Sequence, residues 1–139
     1  MGAGDNERSV RRASVHLGAN VESVPRARSF VEKMLAVWDC KDPDRTVALL
    51  TTEVVTNAIR HAASAVDLDL AVDEHCVLLV EAADDHPEPP VLRPLADSRE
   101  GGRGMWLVER LARRWGVRPL GDGRKVVWFE VDLHRSRQP

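Results

Sequence analysis

The stretch LLTTEVVTNAIRHA, residues 49–62, carries the most informative pattern in the chain. Wound at about 100° per residue, it puts Val47, Leu50, Val54 and Ala58 on one apolar stripe, while Glu53, Asn57 and Arg60 stack beside that stripe at i, i+4 and i+7. A carboxylate, an amide and a guanidinium therefore share one helix edge. The same spacing describes a solvated flank joined by Glu–Arg pairing. Such a flank has no need of an asparagine in a helix interior, where it is less favourable than alanine.

Upstream of this helix, Asp42 before Pro43 reads as an N-cap with a first-turn proline, and Asp44 adds a negative charge where the helix dipole favours one. An earlier helix is predicted from Ser23, as its cap, to about Asp39, with Ala27, Val31, Met34, Leu35 and Trp38 on one face. Before it, Ala13 to Leu17 alternates as a half-buried strand does, and Gly18 and Asn20 end it.

Downstream, the apolar runs Val66–Val72 and Cys76–Ala83 predict a hairpin turning at Asp73, Glu74 and His75. Residues 85–100 hold four of the eight prolines and show no periodicity. A loop of this length inside a compact domain usually forms a lid or binding loop. Gly101, Gly102 and Gly104 then open a third helix with Met105, Val108, Ala112 and Trp115 on one face. Val117–Leu120 and Lys125–Leu133 form a closing hairpin around Gly121-Asp122-Gly123. Strand, two helices, two strands, lid, helix and two strands imply an α+β domain, a two-layer sandwich with helices on one face of a mixed, mostly antiparallel sheet.

The 139 residues, 43% hydrophobic and 30% charged, fit one globular domain over residues 13–133, with a flexible leader at 1–12 and a flexible tail at 134–139. A formal net charge of -2 gives no overall attraction to nucleic acid or to anionic membranes. No window approaches the length of a membrane span and the N-terminus lacks a secretory core, so a cytoplasmic protein is expected. Cys40 and Cys76 stand in no CxxC pattern and read as buried thiols in a reducing compartment.

Two further segments carry chemistry. In VEAADDHPEPP, residues 80–90, Asp84 and Asp85 end an apolar strand where the lid begins. An acid there can accept a hydrogen bond from a base or a sugar, or from its own backbone in a turn. In EGGRGMWLVERL, residues 100–111, glycines at a helix start let the backbone N–H groups and the positive helix end face an anion such as phosphate, although a flexible hinge uses the same residues. No Lys-Ser/Thr follows as in a Walker loop, and no third glycine completes a dinucleotide fingerprint. The five histidines make no metal-ligand spacing, and no serine sits in a nucleophile elbow.

Taken in order, the ELVTNA-like helix, the strand ending in Asp84, the lid, the Gly-Arg-Gly-Met of residues 102–105 and the closing KVVWFEV resemble the GHKL, or histidine-kinase-like, ATPase family. Within it they resemble the stand-alone anti-sigma serine kinases. The resemblance spans about residues 13–133 and implies a Bergerat-type ATP-binding fold. By that resemblance, Asn57 coordinates the Mg²⁺ that bridges the ATP phosphates, Glu53 is the general base, and Asp84 binds the adenine amino group. Gly102, Arg103 and Gly104 hold the phosphates, and Arg60 and Met105 complete the nucleotide contacts. The implied partners are a sigma factor and an anti-anti-sigma protein of the STAS type, with a homodimer also implied. Asp85, His86 and Pro87 stand where the family commonly has glycines, and Val126 stands where a threonine is common. The altered adenine box supports an alternative, a module that sequesters its partner without turnover.

Overall fold

The computed structural model describes residues 10–85 and 104–135. Strand β1 (Arg11–Leu17) begins two residues before the alternation alone suggests, and Ala13, Val15 and Leu17 turn toward the interior. In β3 (Val66–Val72) the alternation is strict, with Val66, Leu68, Leu70 and Val72 buried. Strand β4 (Val77–Asp84) continues this with Leu78, Val80 and Ala82, and β6 (Lys125–Asp132) with Val127, Phe129 and Val131. Together with β5 (Arg114–Pro119) they form a five-stranded sheet in the order β1-β3-β4-β6-β5, every neighbouring pair antiparallel. The expected α+β architecture is present.

Helices cover the inner face. Helix α1 (Ser23–Val37) buries Ala27, Val31 and Leu35, and packs against α2 (Thr46–Ala62). The apolar stripe of α2 is wider than predicted: Val47, Ala48, Leu50, Thr51, Val54, Val55 and Ala58 are all buried. Helix α3 (Gly104–Leu111) packs on α2 through a face that buries Met105 and Val108.

Several local expectations are corrected. Ser23 does not cap α1; its hydroxyl is buried and donates to the Gly18 carbonyl at 2.7 Å. Helix α2 begins four residues after Asp42, yet the Asp42 carboxylate still accepts from Val47 N at 3.1 Å and Ala48 N at 3.2 Å. It thus satisfies first-turn donors across a left-handed Arg45 (φ 55°). Helix α3 stops at Leu111, and Trp115 lies on β5 opposite Phe129. The exposed edge of β6 outcompetes another helical turn, with Arg113 N donating to the Glu130 carbonyl at 2.8 Å. Gly116 is required there, because a Cβ would come within 2.9 Å of the Trp128 ring.

The cysteines are buried as expected but are not thiols, since Cys40 and Cys76 form a disulfide with Cα atoms 6.2 Å apart. The link is possible because β2 (Cys40–Lys41) runs beside β7 (His134–Arg135), and Leu133 N donates to the Cys76 carbonyl at 2.8 Å. This brings the α1–α2 connection to the β3–β4 turn. No helix among the described residues is long and apolar enough to cross a membrane.

Candidate functional site

Burial of α2 on a wide stripe leaves one edge for chemistry. Glu53 and Asn57, one turn apart, are both half-buried, and Arg60 further along is exposed. Thr51, a turn before Val55 and fully buried, has a hydroxyl with no hydrogen-bond partner among the described residues.

The helix exits toward the end of the sheet. Ser64, buried just past α2, donates to the Ala65 carbonyl at 2.6 Å and accepts from Asp85 N at 2.9 Å, which fastens the end of β4 beside the helix terminus. Asp84, the last residue of β4, has the parity of Leu78, Val80 and Ala82 and so faces the helix layer. Asp84 is only 2% exposed. Directly across the ladder, Lys125 opens β6 at 5% exposure, and its Nζ lies 2.8 and 2.9 Å from the two Asp84 oxygens. A charged pair this deeply desolvated is strongly coupled, and removing either member typically costs about 3–5 kcal/mol.

Asp85 points elsewhere. It is exposed and accepts from Arg124 Nε at 2.8 Å, while a second guanidinium nitrogen reaches Asp67 at 3.2 Å. Asp67 also holds His16 Nδ1 at 2.6 Å. The His16 hydrogen bond, aided by Arg124, keeps the Asp67 carboxyl below its ordinary value against the opposing effect of partial burial. Hydrogen bonds to Asp85 and then Asp67 hold Arg124 above its own.

The sequence-predicted residues divide into three groups. Glu53, Asn57 and Asp84 lie on the α2 edge and at the neighbouring sheet end. Met105 is buried in the hydrophobic core at the start of α3. Gly102 and Arg103, together with His86 and Pro87, lie outside the described residues; Gly104 is the first residue of α3. Sequence reasoning missed Lys125 and Ser64. Lys125 carried a signal, because it shares the parity of Val127, Phe129 and Val131 on a strand whose inner face is apolar. Three concavities among the described residues lie away from this edge, between α1 and β1, beside the Cys40–Arg45 segment and on the outer face at His16 and Asp67.

The Asn57 amide is a hard oxygen donor of the kind Mg²⁺ accepts, and both oxygens of the buried Asp84 carboxylate are engaged by Lys125. A helix layer thus covers one face of an antiparallel sheet, with acid and amide on one edge of α2 and a buried acid at the end of β4.

Comparison with known proteins agrees. The histidine kinase-like ATPase domain family matches residues 17–131, and the chain belongs to that family. Among solved structures it is similar to the crystal structure of the RsbU and RsbW domains of Rv1364c from Mycobacterium tuberculosis, with a TM-score of 0.67 at 14% identity. That match covers 92% of this chain and 35% of the other, so this chain spans about a third of that chain's length. No curated protein matches.

Proposed function

We propose that this domain is an ATP-dependent protein serine kinase that also acts as an anti-sigma factor, sequestering a sigma factor and phosphorylating an anti-anti-sigma partner of the STAS type. The observation that supports it best is the pairing of Glu53 and Asn57 on one half-buried edge of α2 within a histidine kinase-like ATPase domain. The neighbour of similar fold, which includes an RsbW domain, is consistent with this reading. In this reading the domain covers residues 13–133 and pairs as a homodimer.

Asn57 would hold Mg²⁺, Asp84 the base, and Gly102, Arg103 and Gly104 the phosphates, with Arg60 adding positive charge nearby. The bound magnesium nucleotide supplies the transferable phosphoryl group. Phosphoryl transfer asks little of a protein beyond positioning and charge neutralisation. Glu53 Oε would accept the proton of the incoming serine hydroxyl, one helical turn from the Asn57 amide that would hold the metal. Met105, buried in the core, would anchor the start of α3 and complete the nucleotide contacts from there.

The decisive experiment follows radiolabelled phosphate from ATP to candidate STAS partners. Wild-type protein should transfer it, and Glu53→Ala should retain MgATP and sigma-factor binding while transfer falls by about 10²-fold or more, the scale of general base catalysis. Equal transfer by both proteins would remove Glu53 from the chemistry. A second reading, a sequestering module without turnover, is favoured by the engagement of Asp84 with Lys125. It predicts tight sigma-factor binding and no transfer from the wild type.

A further inference from the structure

We propose that the Cys40–Cys76 disulfide is a reversible redox switch, reached by small dithiols at Cys40, whose reduction releases the start of α2. The device stands on the fold and needs no nucleotide.

The bond joins the α1–α2 connection to the β3–β4 turn. Cys76 is left-handed (φ 60°) at the close of that turn, where its N–H donates to the Asp73 carbonyl at 3.1 Å. A turn of this kind ordinarily has glycine there, because a Cβ crowds the backbone in the left-handed region. The cross-link opposes the relaxation of Cys76. Its other end leads to α2. Cys40 stands two residues before Asp42, whose carboxylate accepts from Val47 N and Ala48 N across the left-handed Arg45 (φ 55°). Once β2 is freed from Cys76, Arg45 can relax and the first-turn donors of α2 lose their cap.

Access to the bond is one-sided. Cys76 has no exposed surface, whereas Cys40 keeps 6% and lines a concavity of about 500 Å³ with Leu35, Ala36 and Asp42. A thiolate of the dithiol attacks Cys40 Sγ and forms a mixed disulfide; the Cys40–Cys76 bond breaks, and its electron pair leaves on Cys76 Sγ, which takes a proton. The second thiol then attacks the mixed disulfide, closing the dithiol into a cyclic disulfide and releasing Cys40 as a thiol. Two electrons and two protons pass to the protein. The same steps in reverse, with the cyclic disulfide as oxidant, restore the link.

The test uses the full chain without denaturant. Dithiothreitol at neutral pH, followed by alkylation and mass spectrometry, should release both thiols, and glutathione should leave its mixed disulfide on Cys40. A bond that yields no thiol until the chain is unfolded, or an adduct on Cys76, overturns the inference. Backbone NMR shifts of the reduced protein should move across residues 38–48 and 73–77, Val47 and Ala48 included. Those of Leu70 and Val80 in mid-sheet should hold, and reoxidation should restore the starting spectrum. Cys40→Ala/Cys76→Ala should show the reduced pattern whatever the redox buffer. Changes confined to the two cysteines and their sequence neighbours would make the bond a passive staple and overturn the switch. A reduced wild type whose dispersed spectrum collapses would overturn it as well, because the bond would then hold the whole fold and not the start of α2.

Discussion

Reducing the Cys40–Cys76 disulfide should destabilise the domain markedly. The bond spans 36 residues, from β2 to the β3–β4 turn. Releasing a loop of that length returns entropy to the unfolded chain that corresponds to about 4 kcal/mol at 25 °C. Total stability for domains of this kind is about 5–15 kcal/mol, so the loss is a large fraction of it. For a chain of this size it translates to a fall in Tm of roughly 10–15 °C. Urea denaturation followed by circular dichroism, with and without reductant, reads the effect, and a larger m-value on reduction would report the more expanded unfolded state. Cys40→Ala/Cys76→Ala should resemble the reduced wild type, with a further loss from the two vacated sulfur positions, both buried. Unchanged midpoints on full reduction, confirmed by thiol titration, would refute the assignment of this link as a stabilising cross-link.

Asn57→Ala should weaken MgATP binding by about tenfold or more, equivalent to 1.4 kcal/mol, and abolish the dependence on Mg²⁺; unchanged calorimetric affinity would remove Asn57 as the metal ligand. Gly116→Ala sets a methyl group 2.9 Å from the Trp128 ring and should cost about 1–3 kcal/mol in chemical denaturation; a loss within experimental error would show that the ring yields freely. Asp67 is held below its ordinary value of 3.8 by His16 and Arg124, so its contribution is present above that pH and is lost as pH falls through the lowered value. The stability gap between wild type and Asp67→Asn should therefore close on acidification below about pH 4, and a gap that widened there would reverse the sign of the assignment.

The fold was legible where the pattern is local. Strand alternation in Val66–Val72 and the helical stripe from Val47 to Ala58 report burial on one face, and both elements lie where those periods place them. It failed where tertiary contacts compete. Ala112 and Trp115 continue the period of α3, yet the backbone groups of β6 capture Arg113 and the segment after it. The disulfide was invisible for the same reason, since no spacing shows that β2 and the β3–β4 turn meet. Asp42 is an intermediate case: the capping chemistry was right, and the helix it serves begins later because Arg45 takes a left-handed turn first.

The candidate site was legible to the extent that its chemistry resides in single helices. Glu53 and Asn57 share an edge by helix geometry alone, whereas the state of Asp84 depends on a residue 41 positions away. A lysine at the head of KVVWFEV looks like a solvated strand end until its parity with Val127, Phe129 and Val131 is noticed. That parity sends an ammonium toward the core, where only a buried anion can compensate it. Asp84 is the cross-strand partner that does so.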